Sequence, residues 1–108
     1  MRAAAGQKRA TTQVLALFRA FSHADRLTVL LALSEHESLC VSELTELCGA
    51  TQSAMSHQLR RLREAGLVRA RRRGKQIFYA LDDQHVAAIL EDALSHAREK
   101  RPSKSGRG

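Results

Sequence analysis

Residues 42–66 read SELTELCGATQSAMSHQLRRLREAG and combine two short helical patterns with a turn between them. Leucines at a spacing of three predict a first helix that ends at Gly49. Thr51 has the position and chemistry of an N-cap for a second helix that runs to about Ala65. Only Gly49 and Ala50 separate the two patterns, and such a short glycine-containing turn is typical of a helix-turn-helix unit.

The rest of the chain predicts three more helices and one hairpin. Their approximate bounds are a helix around residues 14–21, a helix after Ser22–Asp25, strands at 67–72 and 76–81, and a helix from Asp83 to Arg98. The order predicts a mainly α domain with a β-hairpin wing (α+β), a winged helix-turn-helix with five helices and one two-stranded hairpin. We assign residues 11–100 to this domain. Neither terminal segment has apolar periodicity. We expect residues 1–10 to form a flexible basic tail and residues 101–108 to form a disordered basic tail.

The second helix of the helix-turn-helix unit has an apolar stripe and a polar stripe. Spacings of four and three between Met55, Leu59 and Leu62 predict that the apolar stripe is buried. The polar stripe is concentrated in the N-terminal half and consists of Gln52, Ser53, Ser56, His57 and Arg60. That half of a recognition helix reaches base edges, where Gln pairs with adenine and Arg with guanine. Because a solvated helix face has the same polarity, the neighbouring charge pattern is needed to choose between the two interpretations.

The segment from Arg60 to Lys75 contains eight basic residues and one acidic residue, Glu64. An ordinary solvated surface mixes both signs of charge, so this bias favours phosphate binding. We expect the hairpin tip to lie against the DNA backbone or in the minor groove, where it adds positioning rather than base readout. The predicted contact residues of the hairpin are Arg71, Arg72, Arg73 and Lys75.

The overall composition agrees with a polyanionic partner. The 108 residues include 18 Lys and Arg against 11 Asp and Glu, a formal charge of +7. Aromatic residues make up only 4%, whereas proteins that hold single strands stack bases on aromatic rings, which favours double-stranded DNA. No Gly-rich phosphate loop or nucleophile–base pair is present, so we do not expect an enzyme. The longest apolar run, residues 27–33 with Thr28 inside it, is far below the ~20 residues of a membrane span, and we expect a cytoplasmic protein without membrane contact.

Two motifs near the centre of the chain carry a family resemblance. The pattern S-x-x-S-H-x-L-x-x-L extends from Ser53 to Leu62, and A-G-L-V follows at residues 65–68. Together with the surrounding segment, residues 38–99, they resemble the recognition helix and its exit in the ArsR/SmtB family of metal-responsive repressors. The resemblance implies a homodimer whose recognition helices meet a partly palindromic operator about one helical turn apart. It also implies repression of transcription that a metal ion relieves.

The last predicted helix carries four side chains of the types that bind zinc, namely Asp83, His85, His96 and Glu99. His85 and His96 are about 16 Å apart along a helix axis, so one helix cannot close a site around a single ion. An antiparallel copy would bring Asp83 and His85 of one subunit to His96 and Glu99 of the partner subunit, which gives two equivalent sites per dimer. The four positions also match the carboxylate–His–His–Glu set of the zinc-sensing branch of the ArsR/SmtB family.

The donor set favours Zn(II), because two imidazoles and two carboxylates suit tetrahedral zinc. Imidazole also suits Ni(II) and Co(II), which therefore stay as alternatives. Family members that sense these metals use additional metal-ligating side chains, often near a terminus. Residues 1–10 contain no His or Cys, which favours zinc over nickel and cobalt. Asp92 shares the helix face and is interpreted as an additional ligand or as solvated surface charge.

Cys40 and Cys48 are too few for a disulfide framework, and we interpret both as small buried hydrophobic residues. Two alternatives keep the DNA-binding fold and change the signal. In one, a modification of these thiols takes the place of the metal as the signal that controls DNA binding. In the other, a protein partner docks on the basic tails.

Overall fold

In a computed structural model of the chain, the backbone is described from Arg2 to Lys100 and the side chains from Gly6 onward. The elements in chain order are α1 (Arg2–Phe21), α2 (Ala24–Ser34), β1 (Leu39–Cys40), α3 (Val41–Cys48), α4 (Gln52–Glu64), β2 (Val68–Arg73), β3 (Gln76–Leu81) and α5 (Gln84–Glu99). Five helices and a β2–β3 hairpin confirm the predicted winged helix-turn-helix architecture.

The sheet has three strands in the order β1-β3-β2, so the prediction of a two-stranded hairpin was wrong by one strand. Leu39 pairs with Tyr79, and Cys40 pairs with Phe78, in antiparallel register. Two residues are too few to show the alternating pattern by which a strand is recognised in a sequence. Because α3 starts directly after β1, this short strand ties the wing to the helix-turn-helix unit.

The N-terminal helix is longer than predicted. It begins at Arg2, so residues 2–10, which were expected to form a flexible tail, are helical. The expectation rested on the absence of an apolar face. Alanine-rich sequence without proline is nevertheless favourable for a helix that an amphipathic segment has already started. The tail predicted at 101–108 lies outside the described residues.

The core lies where α2, α3, α4 and α5 meet one face of the sheet. Its members are Val29, Leu30, Leu33, Leu39, Leu44, Met55, Leu59, Leu62, Leu67, Val68, Tyr79, Val86 and Leu90. Met55, Leu59 and Leu62 are all buried in it, which confirms the predicted apolar face of α4. Within the part of the chain that the structure describes, no helix is long and apolar enough to cross a membrane.

Candidate functional site

The turn that leads into α4 is fixed by backbone geometry and by a cap. Gly49 has a left-handed conformation with φ 67°, and its N–H donates to the carbonyl of Thr45 at 2.9 Å. Thr51 Oγ1 accepts from the N–H of Ala54 at 3.0 Å. A glycine C-cap and a threonine N-cap are both favourable at these positions, and together they set the direction in which α4 leaves α3.

The predicted base-reading side chains all lie on the solvent-exposed face of α4, opposite its buried stripe. They are Gln52, Ser53, Ser56, His57 and Arg60. The first four belong to the first two turns of the helix. The structure therefore presents a continuous polar face with hydrogen-bond donors and acceptors, while the role of each residue in DNA contact stays a prediction.

The wing arginines do not share one face. Alternation along β2 places Arg71 and Arg73 on the side of Phe78, and Arg72 on the opposite side beside Ile77. The Arg73 guanidinium lies 5.0 Å from the centre of the Phe78 ring, a distance typical of a cation–π contact. The sequence analysis grouped the wing arginines together, although side chains alternate between the two faces of a strand and this period of two already separates Arg72 from Arg71 and Arg73.

The hairpin tip itself consists of Gly74 and Lys75. Gly74 has φ 64°, a left-handed conformation that suits the first position of a two-residue hairpin loop. Its carbonyl accepts from Arg72 Nε at 3.2 Å. Among the residues whose side chains are described, the one ion pair is between His85 and Asp83. No basic side chain of the wing therefore forms an ion pair among the described residues, although Glu37 lines the same concave surface as Arg71 and Arg73.

Asp83 and His85 lie together at the N-terminus of α5. Asp83 is the N-cap residue, and its Oδ1 accepts from the N–H of Val86 at 3.0 Å. Its Oδ2 lies 3.6 Å from His85 Nδ1. The Val86 N–H bond, together with the nearby His85, lowers the pKa of the Asp83 carboxyl, so Asp83 is held in the ionised form that binds cations.

The distance between Asp83 and His85 fits a shared metal ion. Two ligands of a tetrahedral zinc ion with bonds of 2.0–2.1 Å are separated by about 3.3 Å, close to the observed 3.6 Å. The His85 side chain is 94% exposed, and His96 and Glu99 are also exposed. Among the described residues of the single chain, no group of three or more His, Cys, Asp or Glu could hold an ion. The chain alone brings together two of the four predicted ligands.

An apolar groove between α1, α2 and α5 is open to solvent. It is lined by Phe21, Ser22, Leu27, Leu31, Leu90, Ala93, Leu94 and Ala97. Val14, Leu15 and Phe18 of α1 add further exposed apolar surface. Contiguous apolar surface of this kind marks an interaction site in a soluble domain. No local sequence pattern indicates the groove, because the groove depends on how three helices pack.

Both cysteines are free thiols. Cys40 is buried at the start of α3, and Cys48 is half-buried at its end. Burial raises the pKa of the Cys48 thiol, which disfavours the reactive thiolate. The burial of Cys40 agrees with its interpretation as a small buried hydrophobic residue, whereas Cys48 is less buried than predicted.

Comparison with known proteins adds an independent finding. The model of the family described as bacterial regulatory protein, arsR family, matches residues 23–70. The chain is 43% identical over 88 residues to the HTH-type transcriptional regulator NmtR of Mycobacterium tuberculosis, covering 82% of this chain and 72% of that protein. It is 35% identical over 86 residues to a cadmium resistance transcriptional regulatory protein, a CadC homolog of Staphylococcus aureus, covering 80% and 71%. A solved homodimeric winged helix-turn-helix DNA-binding domain from Mycobacterium bovis has a TM-score of 0.81 and 26% identity, covering 87% of this chain and 86% of that one.

Proposed function

The chain belongs to the ArsR/SmtB family of bacterial regulatory proteins, and we propose that it is a repressor that binds operator DNA as a homodimer and is released by Zn(II). The observation that carries the metal-sensing part is the pair of Asp83 Oδ2 and His85 Nδ1 at 3.6 Å. A relative named for cadmium resistance supports a metal signal in general. The choice of zinc rests on the donor set.

Duplex DNA is recognised through α4 and the wing. The exposed polar face of α4 enters the major groove, where its glutamine, serine and arginine side chains meet base edges. The arginines and the lysine of the wing bind phosphates, which positions the protein and makes its affinity dependent on salt. This assignment is supported by the polar character of the α4 face and by the basic side chains of the wing, none of which forms an ion pair among the described residues.

A second copy of the chain covers the apolar groove between α1, α2 and α5. Phe21 in the groove lies 6.0 Å, ring centre to ring centre, from the exposed Phe18 of α1, so the groove and the exposed apolar surface of α1 adjoin. The relative from Mycobacterium bovis is a homodimer of the same fold. A symmetric pair of grooves buries the apolar surface of both chains in one isologous interface.

The same interface completes the metal site. Asp83 and His85 of one subunit supply half of the ligands, and His96 and Glu99 of the partner subunit supply the other half. These four residues would hold a zinc ion, which would link the two α5 helices. Asp83 can keep its capping bond through Oδ1 because Oδ2 is the atom that faces His85.

Metal binding and operator binding oppose each other in this proposal. The metal-free dimer holds its two recognition helices at the operator spacing, and closure of the α5 sites favours a dimer shape that fits DNA less well. Thermodynamic linkage requires operator DNA to weaken metal binding by the same factor.

The test is fluorescence anisotropy with labelled DNA from upstream of the gene that encodes this chain. Affinity is measured in a chelator, in stoichiometric zinc, and in stoichiometric nickel. We expect a loss of affinity of about tenfold or more in zinc, which corresponds to ~1.4 kcal/mol of coupling. Equal affinity in the chelator and in both metals would overturn the metal-sensing proposal, and a response to nickel alone would overturn the choice of zinc.

A further inference from the structure

Arg69 in β2 reaches across the end of the hairpin to the segment that leads into α5. Its Nη1 donates to the carbonyl of Leu81 at 3.0 Å and to the carbonyl of Asp82 at 2.6 Å. These two residues directly precede Asp83. Hydrogen bonds from a guanidinium are charge-assisted and stronger than those between neutral groups. Arg69 therefore holds the backbone next to a proposed zinc ligand.

The same segment is also tied to α4 through the backbone. The N–H of Asp82 donates to the carbonyl of Leu67 at 2.9 Å, and the N–H of Leu67 donates to the carbonyl of Leu62 at 2.9 Å. Leu62 lies in the last turn of α4. Two bonds thus connect the proposed recognition helix to the residue before Asp83, and Arg69 reinforces the connection from the wing side.

Arg69 shares its strand face with two predicted phosphate contacts. Alternation along β2 places Arg69, Arg71 and Arg73 on the same side, where they line a concave surface together with Glu37, Ser38, Phe78 and Ala80. Arg69 differs from Arg71 in one respect, because only Arg69 bonds to the carbonyls before α5. One strand therefore carries both the proposed contacts to DNA and the bonds to the backbone that precedes the proposed zinc ligands Asp83 and His85.

We propose that Arg69 is a positioning residue that couples the Asp83–His85 half-site to the wing and to α4. The inference rests on the metal-sensing function proposed above and specifies how the signal leaves the site. A displacement of Asp83 pulls on the carbonyl of Asp82, and the guanidinium passes that displacement to β2. Without Arg69, the segment before α5 moves independently of the wing, and zinc binding loses part of its effect on DNA binding.

The test compares Arg69→Gln with a matched control, Arg71→Gln. Both variants remove one positive charge from the same strand face, but only the first removes the bonds to Leu81 and Asp82. The measured quantity is the ratio of the operator Kd in zinc to the operator Kd in a chelator. We expect Arg71→Gln to weaken operator binding in both conditions and to keep the ratio, and Arg69→Gln to lower the ratio by about fivefold or more.

A second readout needs no metal. In the metal-free protein, amide hydrogen exchange at residues 82–86 should become faster in Arg69→Gln than in wild type and should stay unchanged in Arg71→Gln. A purely stabilising role of Arg69 would lower the thermal midpoint without changing the Kd ratio. An unchanged ratio in Arg69→Gln would therefore overturn the inference.

Arg69→Lys keeps the test decisive if the glutamine variant does not fold. Lysine retains the charge but lacks the planar fork of donors, so we expect a Kd ratio between those of wild type and Arg69→Gln. A wild-type ratio in the lysine variant, with the glutamine variant unfolded, would count against coupling through the two carbonyls. If wild-type protein itself shows equal Kd values in zinc and chelator, the proposed function fails, and this inference fails with it.

Discussion

The carboxylate of Asp83 faces the imidazole of His85 at 3.6 Å with one oxygen and caps α5 with the other. The residue therefore has a structural role and a proposed ligand role that use different atoms. The two roles can be separated by substitution, because serine and asparagine retain the capping function of aspartate but not its charge.

Asp83→Ser should lose zinc affinity while keeping the part of the fold's stability that comes from the cap. Asp83→Ala should lose both, with a lower free energy of unfolding because the cap is missing. Urea denaturation of the metal-free proteins measures the free energy of unfolding, and competition with a chromophoric chelator measures the zinc affinity. Equal stability of the alanine and serine variants would contradict the capping role, and wild-type zinc affinity in both would contradict the ligand role.

The capping bond also predicts a dependence on pH. The Val86 N–H bond and the neighbouring His85 lower the pKa of Asp83 from its ordinary value of 3.8. A carboxyl whose pKa is lower in the folded state stabilises the fold above its unfolded-state pKa, and this contribution is lost as the pH falls through the folded-state pKa. We expect the stability difference between wild type and Asp83→Asn to be present at neutral pH and to shrink in acid. Denaturation curves at several pH values test this, and a difference that grows in acid would show the opposite sign of linkage.

Base readout and phosphate contact should separate in DNA-binding measurements. Gln52→Ala should cost about 1–3 kcal/mol on the operator and relax specificity at one base pair. Arg71→Ala should weaken binding to all sequences alike and reduce the salt dependence, the slope of log K against log salt, by about 1. Titrations with operator and unrelated DNA at several salt concentrations measure both effects. Loss of specificity in the wing variant instead of the α4 variant would reverse the assignment.

The apolar groove predicts which leucine matters for assembly. Leu27 lines the groove and is 36% exposed, whereas Leu47 is 56% exposed and lies outside the groove on α3. Leu27→Glu places a charge in the proposed dimer interface and should shift the protein to monomer at micromolar concentration. Leu47→Glu is the control and should stay dimeric. Sedimentation velocity measures the two populations, and a dimer of normal stability in Leu27→Glu would exclude the groove as the interface.

The sequence predicted the elements whose signals are local. Gly49 and Thr51 mark the ends of α3 and α4, and both have the predicted roles. By contrast, β1 is only two residues long and is defined by pairing with Tyr79 and Phe78, some 40 residues away. Arg69 was visible only as one of many basic residues, since its bonds join positions 12 and 13 residues apart. Long-range hydrogen bonds have no periodicity that a single sequence can reveal.

The metal site, too, is only partly predictable from local sequence signals. The spacing of Asp83 and His85 places them in the first turn of α5, and the structure brings them together. His96 and Glu99 lie in the last turns of the same helix, about 16 Å and about 21 Å along the axis from His85. His96 and Glu99 can approach Asp83 and His85 only from a second chain, so neither the sequence pattern nor the single chain contains the complete proposed site.

A mixing experiment tests zinc control across the subunit interface most directly. His85→Ala and His96→Ala carry different tags, are co-expressed, and are purified as homodimers and as the mixed dimer. Each homodimer lacks one imidazole at both sites. The mixed dimer lacks both imidazoles at one site and has all four ligands at the other.

The quantity to measure is the operator affinity of each of the three dimers in zinc and in a chelator. The account predicts that zinc leaves both homodimers bound to DNA and weakens DNA binding by the mixed dimer, which contains one intact site. A mixed dimer as indifferent to zinc as its parents, or a full zinc response in either homodimer, would contradict an intersubunit site built from Asp83, His85, His96 and Glu99.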